Sequence, residues 1–136
     1  MIDRVPPQNI EAEQAVLGAM LLEREAIAKV MEKLRSEDFY REAHKVIFNA
    51  MLELYNRNEA VDLVTVTEVL KKNGKLEDVG GIAYVTSLAN SVPTAANVVY
   101  HAGIVEEKSI LRQLVRSATE IAETWLRRQR RCKRYY

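Results

Sequence analysis

The sequence holds a single cysteine, Cys132, in 136 residues, so no internal disulfide framework can form and a reducing cytoplasm suits it. Glycine and proline are scarce, at five and three, and phenylalanine occurs twice. That scarcity argues against a β-sandwich or a Gly-rich nucleotide fold. No apolar run approaches the roughly 20 residues that a membrane helix needs. The opening MIDRVPPQNIEAEQ lacks the apolar segment of a secretory leader. Acid is missing from the final ten residues, where six of the twenty basic side chains fall: Arg127, Arg128, Arg130, Arg131, Lys133 and Arg134. Residues 1–126 therefore carry 14 basic and 19 acidic side chains, net −5. A body of that sign does not attract nucleic acid by its field. What remains, 48% apolar and 29% charged, is a globular composition long enough for one domain. An all-α fold is expected.

Helical periodicity follows the extended Pro6-Pro7 segment. Asn9 reads as an N-cap, and Ile10, Leu17, Met20 and Leu21 recur at helical spacing behind Glu11 and Glu13. Gly18 inside this run is costly unless another helix comes close. A second helix is expected over 23–35, with Ile27, Val30, Met31 and Leu34 on one face, and a third over 39–57, with Phe39, Ala43, Ile47, Ala50, Met51 and Leu54 inward. Residues 61–64 read as an extended approach to a fourth helix, 65–73, capped by Thr65 with Glu68 and stopped at Gly74. Gly81 opens a fifth helix carrying Ile82, Val85, Leu88 and Ala89, which Pro93 ends.

From Thr94 to about Arg128 there is no proline and one glycine. Ile104, Leu111, Ala118 and Trp125 stand seven apart, with Glu107, Leu114 and Ile121 between them. Six of the seven positions are apolar, a heptad seam of three repeats. A helix of this length spans about 50 Å, so much of it must project, and its seam needs a partner helix.

Sites of chemistry are sparse. His44 and His101 fall on different helices without ligand spacing or a second cysteine, and read as surface or half-buried polar groups. Cys132 sits among arginines but in a chain end unsuited to catalysis. Glu106, Glu107, Glu120 and Glu123 read as solvated helix charges. Gly103–Ser109 ends like a phosphate-binding loop, yet it is one residue short, lacks the second glycine and sets carboxylates where amides should meet phosphate. Gly80-Gly81 reads as a tight loop with positive φ rather than an anion cradle.

Several of these segments together resemble one family. Residues 6–18, PPQNIEAEQAVLG, are similar to the opening of the bacterial replicative DNA helicase, the DnaB family. The resemblance continues through Asp38-Phe39-Tyr40 with His44 and Ile47-Phe48, then Val61–Val66, Leu76–Gly81 with Tyr84, and Pro93–Asn97. Val105–Ser109 with Leu111-Arg112 closes it, so residues 4–126 are covered in family order.

The resemblance implies that helicase's N-terminal domain, a compact six-helix head with a long last helix forming one arm of a helical hairpin. The expected division is a head over 1–103, a projecting arm over 104–128 and a basic tail over 129–136, disordered or foreign to the family. The family continues after Trp125-Leu126 through an acidic turn into a second arm; here Arg127–Tyr136 is basic, so the hairpin is expected to be truncated. The implied role is non-catalytic: scaffolding a hexameric collar, through dimers or a trimer of dimers, and docking the C-terminal domain of primase. A helicase loader is an open further partner. ATP and Mg are expected only in the ATPase domain of the parent, and no cofactor or metal in this chain. The interface residues expected are Ile104, Leu111, Leu114, Ala118, Ile121 and Trp125 for helix pairing. Arg112, Val115 and Arg116 stand beside them for partner contact, with Tyr84 and Glu11 as weaker members. Two other classes stay open: a nucleic-acid-binding module acting through the tail, where Tyr135-Tyr136 add stacking groups, and a stand-alone regulator without an ATPase.

Overall fold

The computed structural model describes residues 5–134, with side chains through Arg131. Tyr135, Tyr136 and the side chain of Cys132, all weighed from the sequence, lie outside the described residues. Six α-helices follow in order: α1 Ile10–Leu22, α2 Arg24–Met31, α3 Glu42–Asn56, α4 Leu63–Lys72, α5 Gly81–Ala89 and α6 Val98–Arg134. Two 3-10 turns, Ser36–Asp38 and Glu77–Val79, link them, and no strand occurs among the described residues. None of these helices is long and apolar enough to cross a membrane.

α1 is the hub. Asn9 caps it by accepting the Ala12 N–H at 2.9 Å, and nine of its thirteen residues, from Ala12 to Leu21, are buried. A helix apolar on every side needs neighbours on every side; α1 packs on α2, α3, α5 and α6. Gly18 makes this possible, because a Cβ there would overlap the Leu88 carbonyl oxygen at the end of α5 and lie 2.5 Å from Ser91 Oγ. Gly18→Ala is therefore expected to lower stability by about 1–2 kcal/mol, the overpacking cost exceeding the gain in helix propensity. A urea midpoint equal to the parent's would show that α1 and α5 can part without cost.

Local chemistry moves several boundaries from their expected places. α3 starts at Glu42 rather than Phe39, because the Tyr40 and Arg41 amides donate to the Glu13 carboxylate at 2.7 and 3.4 Å. Phe39 is left extended, yet its ring remains in the core. α2 stops at Met31, short of the expected Arg35, which is itself extended with its N–H donated to the Asp38 carboxylate. α4 begins at Leu63, two residues early: Asp62, not Thr65, is its N-cap, and the two residues exchange side chain-to-amide bonds, each of 2.9 Å. At its other end Gly74 adopts φ 69°, and the Gly74 and Lys75 amides bond back to Lys71 and Leu70. Met31 and Ile82, expected inward, are exposed. Gly80 and Gly81 have φ of 110° and 74°, the tight-loop conformation read from the sequence.

α6 starts at Val98, four residues after Thr94, whose hydroxyl accepts the Ala96 amide in a local turn. Val98, Ala102, Val105 and Ser109 bury one side of it against the head. Contact with the head thus continues past residue 103, the expected limit. The helix also runs through 129–134, which the sequence reading left without order. Arginine, lysine and glutamine are good helix formers, and a helix C-terminus favours cations.

Candidate interaction surface

Beyond Val105, the grip of the head on α6 becomes polar. Ser109 Oγ donates to Asp38 Oδ1 at 2.7 Å. One turn on, Arg112 donates to the Pro7 carbonyl at 2.8 Å and to the Asp38 carbonyl at 2.6 Å, while its guanidinium lies 5.5 Å from the centre of the Tyr40 ring. One side chain therefore ties together the N-terminal strap, the Ser36–Asp38 turn and the arm. Hydrogen bonds from a charged donor are the stronger kind, and the planar guanidinium serves both carbonyls and the ring at once. Above this latch lies a groove of about 980 Å³ whose floor and walls include Pro6, Pro7, Phe39, Tyr40, Arg112, Val115, Arg116 and Thr119. Its surface is largely apolar, and Glu37, Lys45, Arg116, Glu120 and Glu123 add charge of both signs to its lining, a mixture suited to docking.

The opposite side of α6 carries the heptad positions. Ile104 and Leu111 are half-buried, and Ile104 packs on the core. Past the latch, Leu114, Ile121 and Trp125 are 63%, 70% and 60% exposed, and Ala118 between them is also exposed. On a helix advancing 100° per residue these four share one stripe, turned away from the side that carries Val98, Val105 and Ser109. Ile110, Val115 and Leu126 widen the apolar area and are exposed too; the strict seven-residue spacing had passed over Ile110 and Leu126.

Tyr84 and Glu11 lie elsewhere and are not among the residues lining the Arg112 groove. Glu11 is exposed and borders a smaller groove of about 480 Å³ with Asn9, Gln14, Tyr100 and His101. The Tyr84 hydroxyl points inward, 2.6 Å from His44 Nε2, and the other ring nitrogen of His44 lies 2.7 Å from Glu13 Oε1. Gln14 and Arg41 also donate to the Tyr84 oxygen, at 3.1 and 3.3 Å. Donor counting then fixes the protons: with its lone pairs taken, Tyr84 donates to Nε2, and Nδ1–H donates to Glu13. His44, expected at or near the surface, is wholly buried, as is Glu13. Stacking of the imidazole on Tyr84 at 5.9 Å completes a network that joins α1, α3 and α5.

Sequence reasoning missed Pro7, Asp38, Tyr40 and Ser109 as parts of the latch. Ser109 and Arg112 stand one turn apart on α6, which was the available signal; Asp38 lies 71 and 74 residues away from them. The Gly103–Ser109 stretch lies inside α6, where amides are engaged along the helix, so it does not fit a nucleotide phosphate.

Residues 5–107 match the family model described as the DnaB-like helicase N terminal domain. The chain is 62% identical over 121 residues to the replicative DNA helicase DnaC of Bacillus subtilis, covering 89% of this chain and 27% of that protein. It thus spans about a quarter of the length of that relative. Among solved structures, the N-terminal domain of DnaB helicase from Mycobacterium tuberculosis superposes with a TM-score of 0.86 at 50% identity, covering 88% of this chain and 83% of that one. A DnaB-like replicative helicase, described with its interactions with primase, matches with a TM-score of 0.72 at 35% identity over 85% of this chain and 27% of its own.

Proposed function

Since the chain belongs to the DnaB-like helicase N-terminal domain family, we propose that it serves a replicative DNA helicase as a non-catalytic scaffold that pairs through α6 and docks primase. The observation that carries this reading is the stripe of Leu114, Ala118, Ile121 and Trp125, exposed on the side of α6 turned away from the head. From Arg112 to Arg134 the helix extends about 33 Å, enough for three heptads of knobs-into-holes packing against a second helix. A second copy of α6 supplies that helix, and pairs of heads then assemble into the collar of a hexamer.

Primase docking draws support from the 35% identical relative described with primase and from the groove beside Arg112, Val115 and Arg116. Most of that groove opens on a different side of α6 from the stripe, with Val115 on the border of both, so pairing leaves Arg112, Arg116 and Thr119 available for docking. ATP and Mg²⁺ belong to the ATPase domain of the helicase in this reading. A helicase loader and a cytoplasmic location remain part of the same proposal.

Light-scattering mass on a sizing column tests it, run with and without the C-terminal domain of the cognate primase. A dimer or larger species that moves to a joint peak is the expected result. A monomer whose elution ignores primase would overturn both parts of the proposal.

A further inference from the structure

The distal end of α6 carries a second feature that pairing leaves unused. Arg127, Arg128, Arg130 and Arg131 are all exposed, and the last acidic side chain before them is Glu123. At 100° per residue, Arg127, Arg130 and Arg131 fall within an arc of about 100°. That arc is turned roughly opposite the Leu114, Ile121 and Trp125 stripe; Arg128 stands between the two and borders a shallow groove with Ile121 and Trp125. Arg127 reaches back to the Glu123 carbonyl at 3.5 Å, and no ion pair among the described residues engages any of the four.

We propose that this basic face, Arg127, Arg130 and Arg131 with Arg128 at its edge, binds the phosphate backbone of nucleic acid without reading sequence. Four cations within five residues repel one another and draw counterions, and a polyanion that replaces those counterions gains their release. Residues three and four apart on a helix stand about 5–6 Å from each other. A duplex offers one phosphate per 3.4 Å of axis on each strand, so every guanidinium finds an oxygen without a particular register. Nothing here presents a rigid set of donors to base edges, so affinity follows charge and not sequence. The acidic surface of another copy is the competing anion. Its excess, five charges over 126 residues, is too dispersed to satisfy four arginines on one turn and a half of helix. Because Arg127, Arg130 and Arg131 face away from the apolar stripe, these three stay open whether or not α6 pairs.

Fluorescence anisotropy with labelled 20-base-pair duplexes of two unrelated sequences, titrated with the full chain across a salt series, is the test. Both duplexes are expected to bind equally, and with four phosphates neutralised affinity should fall on the order of 100-fold between 50 and 200 mM salt. The variant R127Q/R128Q/R130Q/R131Q, which keeps good helix formers in place, should lose at least about tenfold in affinity at 50 mM and flatten the salt slope. Its circular dichroism and light-scattering mass should match the parent. K71Q/K72Q, which removes exposed lysines of the head, should bind as the parent does. Equal binding by the quadruple variant, or a flat salt dependence in the parent, would overturn the proposal. So would a chain that ignores DNA while the quadruple change alters its mass; the acidic head of a second copy would then be the occupant.

Discussion

His44→Ala is expected to lower the unfolding free energy by about 3–5 kcal/mol, the combined cost of taking one hydrogen-bond donor from a buried carboxylate and emptying a buried ring site. The imidazole touches no solvent, and among the described residues it is the only side chain bonded to the Glu13 carboxylate, which is itself buried. Without it Glu13 keeps the Tyr40 and Arg41 amides, so the loss should fall at the lower end of that range. The cavity left by the ring adds to it, because the ring also meets Phe39 edge-on and stacks on Tyr84. Tyr84→Phe should cost less, about 1–3 kcal/mol. It removes a hydroxyl but keeps the ring, and it strands His44 Nε2 while the Gln14 and Arg41 donors can turn to water. Urea denaturation followed at 222 nm measures both. A double-mutant cycle of Glu13→Gln with His44→Ala should give a coupling of at least about 1 kcal/mol. Additive losses, or an alanine variant within about 1 kcal/mol of the parent, would mean that the network is held by packing alone.

This network marks the boundary of what the sequence discloses. Helices with caps and periodicity were legible: Asn9 caps α1 as its side chain suggests, and Gly74 stops α4 in a positive-φ turn. Gly18 was legible too, because a glycine inside an apolar helix implies a close neighbour, although not that the neighbour is the Leu88 carbonyl. The start of α3 was not. Phe39 fits the helical pattern, but Glu13 competes for the amides that follow it from 27 and 28 residues away. His44 was misplaced for the same reason, since its partners stand 31 and 40 residues away. The heptad on α6 was legible because its spacing alone sets Leu114, Ala118, Ile121 and Trp125 on one side of the helix, opposite the buried Val98, Ala102, Val105 and Ser109. The latch of Ser109 and Arg112 was hidden because it grips backbone carbonyls and one aspartate, acceptors that leave no periodic trace. The basic end was legible as charge and misread as to order, since composition alone does not reveal that a long helix already runs into it.

Ile121→Asp is expected to separate the paired chains, raising the dimer dissociation constant by two to four orders of magnitude. Burying an Ile side chain is worth about 1.5–3 kcal/mol, and a twofold interface repeats the residue on both partners. The loss is then about 3–6 kcal/mol before the cost of placing two carboxylates face to face, and each 1.4 kcal/mol is tenfold in affinity. Within one chain the same change should do almost nothing, because Ile121 is 70% exposed and substitutions at such positions usually shift stability by less than about 0.5 kcal/mol. That contrast separates a pairing defect from a folding defect: the thermal midpoint of the head stays, and the mass halves. Gln113→Asp adds the same charge at an exposed position of α6 turned well away from the stripe, and should leave the mass unchanged. Trp125 gives an independent signal, being the only tryptophan and 60% exposed in the single chain. Pairing buries the indole, so dilution of the parent should shift its emission to the red with the midpoint that light scattering reports. The Ile121→Asp chain should already emit at the red limit at any concentration. A dimer that survives the aspartate, with Trp125 emission insensitive to dilution, would place the contact between chains away from this stripe.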